Sequence, residues 1–135
     1  MIFYALDTNI VSYFLKNDAL VVQRINEEKD KQNKFVIPPM VYFEIQNWLV
    51  KNKARNKIEI FQIIYMDQEI GIIDKEIFDI AIMEKQKLQE KGFNITNDDL
   101  LIAAYCLRHN LTLVTNNIKH LKNINHLEIV NWKET

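Results

Sequence analysis

Apolar positions fall into two rhythms that alternate along the chain. Short, mostly apolar runs at residues 2–6, 35–37, 70–73, 111–114 and 127–130 have the length of buried strands. The second is followed by Pro38 and Pro39, which cannot donate to a ladder and so end it. Between the runs, apolar residues recur at helical spacing. Ile10, Val11, Phe14 and Leu15 do so in residues 8–15, and Leu20, Val21 and Ile25 in the first half of 19–33. Residues 40–50 predict a helix with Pro39 at its first turn, and Ile60, Phe61, Ile63 and Ile64 predict another over 58–65. Residues 75–91 give the clearest amphipathic helix, stopped at Gly92. Residues 98–109 are apolar on most faces and are expected to lie deep. The polar run 27–34 reads as a solvated helix end. Strand and helix in alternation predict an α/β fold, a mostly parallel central sheet of four to five strands flanked by helices. One domain is expected over residues 1–135.

Composition narrows this picture only slightly. The chain is 48% hydrophobic and 26% charged, with two glycines and two prolines. So few turn residues argue against a β-sandwich and for long elements with short connections. The single cysteine, Cys106, lies in an apolar run and is read as a small buried hydrophobe. No charged-then-apolar leader is visible, and no apolar stretch approaches the ~18 residues of a membrane span, so a reducing cytoplasm is the expected compartment. The net charge of −1 is unhelpful to a nucleic-acid reading, because proteins that bind RNA by charge alone are basic. Bound divalent cations would reverse the local sign.

Candidate chemistry follows from the sheet. In open parallel sheets, ligands bind outside the carboxyl ends of the strands. Asp7 ends the first strand, and Asn116 and Asn117 follow the strand that closes at Thr115. Asp98 and Asp99 open a helix, and Glu44 lies one to two turns into the helix after strand two. Each has an ordinary structural explanation: Asp7 a helix cap, Thr96 and Asp99 a capping box, Asn117 a turn residue. Glu44 is different, because a carboxylate beside Met40, Val41, Trp48 and Leu49 is costly unless paired or metal-bound. Four polar positions from distant segments converging on one crevice would suit a hard cation such as Mg²⁺ or Mn²⁺ and phosphodiester hydrolysis. His109, His120 and His126 match no nucleophile or zinc spacing and are read as surface or helix-end residues. No glycine-rich phosphate loop is present.

The segments Leu6-Asp7-Thr8-Asn9, Pro39 to Glu44, Asn97 to Ala104, Thr112 to Asn117 and Val130-Asn131-Trp132, in that order and near that spacing, resemble the PIN-domain toxins called VapC. The resemblance implies a PIN fold and a Mg²⁺- or Mn²⁺-dependent endoribonuclease, the toxin of a type II toxin–antitoxin pair, with a transfer RNA among its candidate substrates. It also implies a cognate antitoxin protein, a homodimer or toxin–antitoxin hetero-oligomer, and no membrane association. Carried onto this chain, it makes Asp7 and Asp99 the principal metal ligands and gives Glu44 a place in orienting water. Asn117 completes the pocket where the wider family often has aspartate. Asn9 and Thr115 match the polar supporting positions. Tyr42, Trp48 and Tyr65 are expected mostly to fill the core, and Lys51, Lys53, Arg55 and Lys57 form a basic connection that could meet RNA phosphates. Two rivals share these features: a catalytically silent PIN module that binds RNA or protein, and a metal-dependent small-molecule phosphohydrolase.

Overall fold

The computed structural model describes residues 1–66 and 71–133, the side chains of 63–66 excepted. Among these residues four strands form one sheet in the order β2-β1-β3-β4. They are β1 (Phe3–Leu6), β2 (Lys34–Val36), β3 (Thr112–Val114) and β4 (Ile129–Val130). Every pairing is parallel, with Tyr4 opposite both Phe35 and Thr112, and Val114 opposite Val130. The expected run at 70–73 begins outside the described residues, and Gly71–Ile73 joins no ladder. Its apolar pattern could not distinguish strand from packed loop: Ile72 is exposed and Gly71 lies against the Tyr105 ring.

Seven helices surround the sheet among the described residues: α1 (Thr8–Leu15), α2 (Ala19–Asp30), α3 (Pro39–Lys51), α4 (Arg55–Met66), α5 (Lys75–Glu90), α6 (Asn97–His109) and α7 (Ile118–Leu121). Their ends follow local chemistry. Asp18 accepts hydrogen bonds from the Leu20 and Val21 amides, and Asp74 from Ile77. α5 stops as Gly92 takes φ of 78°, and α6 stops at Asn110 in the left-handed region. Ile102 to Cys106 are all buried, which explains why α6 reads as apolar on most faces. Burial pushes the Cys106 thiol up, so it stays an uncharged hydrophobe.

Two further expectations fail. The end of α2 is not wholly solvated, because Glu28 is buried at 3% exposure. Asn33 donates to it at 2.7 Å, and Arg24 and Lys31 lie 3.5 and 3.7 Å away. Burial opposes ionisation of Glu28, but Asn33, Lys31, the Tyr4 hydroxyl and Arg24 outweigh it and hold the carboxyl below its ordinary value. The cluster ties α2 to β1 and to the turn before β2. Its stabilisation is complete above the ordinary value of 4.5 and is lost as pH falls through the lowered folded one. Glu28→Ala is expected to cost about 1–3 kcal/mol at neutral pH and to flatten the acid limb of a pH–stability curve, measured by denaturant unfolding. The second failure is Trp48, expected in the core but 51% exposed on α3. Tyr42 does pack inward, stacked on Phe61 at 5.9 Å between ring centroids. The side chain of Tyr65 lies outside the described residues.

The strand order has one functional consequence. From β1 the chain crosses to β2 on one side, and β3 later takes the other side. Such a reversal leaves a crevice above the carboxyl ends of β1 and β3.

Candidate active site

The crevice is built by the residues that leave those two strands. Asp7 continues β1, its amide bonded to the Val114 carbonyl at 3.0 Å, and Thr115 continues β3, bonded to Val130. Asp7 is 4% exposed and Thr115 is fully buried. Asp7 Oδ1 accepts the Thr8 amide at 2.7 Å, so the residue caps α1 as its sequence suggests. Its other oxygen, Oδ2, accepts the Thr115 hydroxyl at 2.7 Å.

Thr115 is the hub. Its one hydroxyl hydrogen goes to Asp7, while its oxygen accepts the Asn117 amide at 3.0 Å and Asn9 Nδ2 at 3.5 Å. That uses a hydroxyl's full capacity of one donor and two acceptor sites. Asn9 Oδ1 in turn accepts the Asn116 amide at 3.0 Å, and Asn131 Nδ2 donates to Asn116 Oδ1 at 3.2 Å. The loop after β3 is thereby pinned to the start of α1.

Asp99 arrives from the first turn of α6. Its amide donates to the Thr96 hydroxyl at 3.2 Å, the capping contact expected of Thr96. Its side chain faces a different way, with Oδ2 accepting Asn117 Nδ2 at 3.2 Å. Asn117 therefore presents its nitrogen to Asp99, where an oxygen ligand for a cation was expected. An aspartate here would oppose Asp99 with a like charge, whereas the amide bonds to it.

Glu44 is the fourth member. On α3 it is half-buried, and Thr8 Oγ1 donates to its Oε2 at 3.0 Å. Asp98, beside Asp99, is exposed. The carboxylates sense one another. Burial raises the Asp7 carboxyl above its ordinary value and Asp99 adds to the rise, against the bonds from Thr115 and Thr8. Burial likewise raises Glu44, with Asp98, Asp7 and Asp99 adding to it. Thr8, whose hydroxyl links Asp7's neighbourhood to Glu44, is the contributor sequence reasoning overlooked. Its place directly after Asp7 was the available signal.

Among the described residues no ion pair reaches Asp7, Glu44, Asp98 or Asp99. No three His, Cys, Asp or Glu side chains there are grouped tightly enough to hold one ion. The set is thus an uncompensated, oxygen-rich crevice and not a closed protein cage. This suits Mg²⁺, which keeps several waters and is held by one or two carboxylates together with substrate phosphates. His109, His120 and His126 stand exposed elsewhere, His109 with its ring 4.7 Å from that of Tyr105.

Comparison with known proteins gives a consistent result. The family profile described as PIN domain matches residues 4–127. The chain is 35% identical to the protein named Ribonuclease VapC2 of Rickettsia felis, over 96% of this chain and 97% of that one. It is 26% identical to Ribonuclease VapC1 of Haemophilus influenzae, over 96% and 97%. Among solved structures, VapBC2 of Rickettsia felis bound to a DNA fragment from its promoter superposes with a TM-score of 0.84 at 32% identity, covering 97% of this chain and 99% of that one.

Proposed function

Because the chain belongs to the PIN-domain family, and within it to the VapC ribonuclease toxins, we propose that it is a Mg²⁺- or Mn²⁺-dependent endoribonuclease acting through Asp7, Glu44, Asp99 and Asn117. The observation that carries this reading is the buried Asp7, joined through Thr115 and Asn117 to Asp99 with no cationic side chain paired to either among the described residues.

Asp7 and Asp99 would hold the ion with their carboxylate oxygens. When bound, it neutralises charge on the phosphodiester and acidifies the attacking water. Thr115 fixes Asp7 by donating to Oδ2 and leaves the carboxylate oriented without neutralising it. Asn117 does the same for Asp99. Glu44 is held through Oε2 by Thr8, and its Oε1 orients the water and accepts its proton. The raised affinity of Glu44 for a proton brings it closer to neutral pH, where a general base is more effective. The substrate is RNA in the cytoplasm, with transfer RNA as one candidate. The partner is an antitoxin protein: the neighbouring structures of Rickettsia felis and Haemophilus influenzae are described as VapBC complexes, the latter at 25% identity and a TM-score of 0.77.

Among the described residues no helix is long and apolar enough to cross a membrane. A small-molecule phosphohydrolase would use similar ligands, so the substrate class is tested by comparison. With Mg²⁺ present, the purified chain is expected to cut RNA internally and to leave a small phosphomonoester untouched. Turnover of the phosphomonoester without RNA cleavage would reject the reading.

A further inference from the structure

A groove of about 300 Å³ opens between α1 and α3, beside the site and continuous with it. Thr8 and Glu44 form its inner end, so it begins where the proposed chemistry begins. Trp48 lines it one helical turn beyond Glu44 on the same face of α3, half exposed although it is the largest aromatic on that helix. Ser12 lies one turn beyond Thr8 on α1, and the outer end is flanked by Lys16 and Lys57. From Thr8 the groove follows α1, eight residues long, so its two ends are about 12 Å apart. A flat aromatic surface with hydroxyls along one wall and two ammonium groups at the far end is the chemistry of a single-stranded nucleic-acid platform.

We propose that this groove is a nucleotide subsite of the RNA substrate: the base next to the scissile bond stacks on Trp48, and Lys16 and Lys57 hold the phosphate beyond it. The assignment rests on the RNA-cleaving reading above. The occupant follows from two features of the groove, its opening onto Glu44 and its cationic outer end. Leu15, Ile45 and Leu49 also line it and suit the flat face of a base, while the two lysines favour an anionic group beyond that base, and an acidic peptide would have to lie beside Glu44. Lys57 thus has a role distinct from Lys51, Lys53 and Arg55, which share its basic stretch but do not line the groove.

Steady-state cleavage of a short single-stranded oligoribonucleotide in Mg²⁺ buffer tests the subsite. Trp48→Ala is expected to raise KM between about fivefold and a hundredfold. The parent kcat should hold within about threefold, since uniform binding alone is removed. Trp48→Phe keeps a stacking ring and is expected to stay near the parent. Lys16→Ala combined with Lys57→Ala should reduce the slope of log KM against log salt by about 0.7, the value for one lost phosphate contact on a single strand. In the parent, RNA should quench the Trp48 emission, which Trp48→Phe lacks and the buried Trp132 cannot supply. A parent enzyme that cleaves RNA beside a Trp48→Ala variant with unchanged KM would overturn the subsite and leave the ribonuclease reading standing. If that variant instead escaped inhibition by the antitoxin, the groove would belong to the protein partner, which also overturns the subsite. A parent chain that cleaves no RNA in Mg²⁺ would overturn the ribonuclease reading first and the subsite with it.

Discussion

Asp7→Asn is expected to lower RNA cleavage on the order of 10³-fold or more, while leaving the fold intact. The substitution is nearly isosteric. Its Oδ1 can still accept the Thr8 amide, and its Nδ2 would face the Thr115 hydroxyl, which can accept that bond if it gives up the long 3.5 Å contact from Asn9. What disappears is one negative charge from a side chain that is 4% exposed and has no paired cation among the described residues. The same loss has an opposite effect on stability. In the metal-free parent, burial raises the Asp7 carboxyl, so folding is favoured below its ordinary value of 3.8 and disfavoured as pH rises through the raised folded value. Metal-free Asp7→Asn is therefore expected to melt above the parent at neutral pH, and added Mg²⁺ should narrow that gap by stabilising only the parent. Thermal unfolding with and without Mg²⁺ checks this. A variant that melts lower than the parent in both conditions would mean that Asp7 is a structural cap and not a ligand.

The second large effect is in the segment after β4. Trp132→Ala is expected to destabilise the chain by about 3–5 kcal/mol, measured by denaturant unfolding. Trp132 is fully buried, with its ring 5.1 Å from Tyr4, 6.0 Å from Phe35 and beneath the Arg24 guanidinium at 5.8 Å. It joins the segment after β4 to β1 and β2, so its removal opens a cavity against three elements. Trp132→Phe should cost far less, under about 1.5 kcal/mol. It keeps an aromatic ring and removes the Trp132 Nε1–H, which is buried without a hydrogen-bond partner among the described residues. The effect reaches the site, because the adjacent Asn131 holds Asn116, which Asn9 also binds. Cleavage by Trp132→Ala should therefore fall before its global unfolding midpoint is reached.

Much of this was readable from residues because local and tertiary demands agree at the key positions. Asp7 looks like a cap and is one, yet its second oxygen reaches Thr115 from β3. Asp99 belongs to a capping pattern and its amide behaves accordingly, while its side chain turns to Asn117. A backbone donor and a side-chain oxygen satisfy separate requirements, so cap and candidate ligand were never exclusive. The strand runs ending at Asp7 and Thr115 located the crevice because parallel sheets leave their open end there.

Other features depend on contacts that no local pattern encodes. Glu28 sits in a polar run that looks solvated, and only the approach of Tyr4 and Asn33 buries it. Trp48 has the sequence context of a core residue, but the turn of α3 that carries Glu44 into the crevice leaves it half exposed. Gly71–Ile73, the described part of the expected run at 70–73, joins no ladder; length and composition do not distinguish a strand from an apolar loop. The orientation of the Asn117 amide is set by Asp99, eighteen residues away in sequence, and could not be read from the loop itself.

The proposed mechanism requires Asp7 and Asp99 to hold a divalent ion for cutting RNA. The most direct measurement is single-turnover RNA cleavage by the purified chain with Mg²⁺, after chelation, and after Mg²⁺ is restored, with Asp99→Asn alongside. Cleavage by the parent is expected to be abolished by chelation and restored by Mg²⁺, and Asp99→Asn is expected to show none under any condition. Cleavage that persists at full rate after chelation, or in Asp99→Asn, would contradict the mechanism.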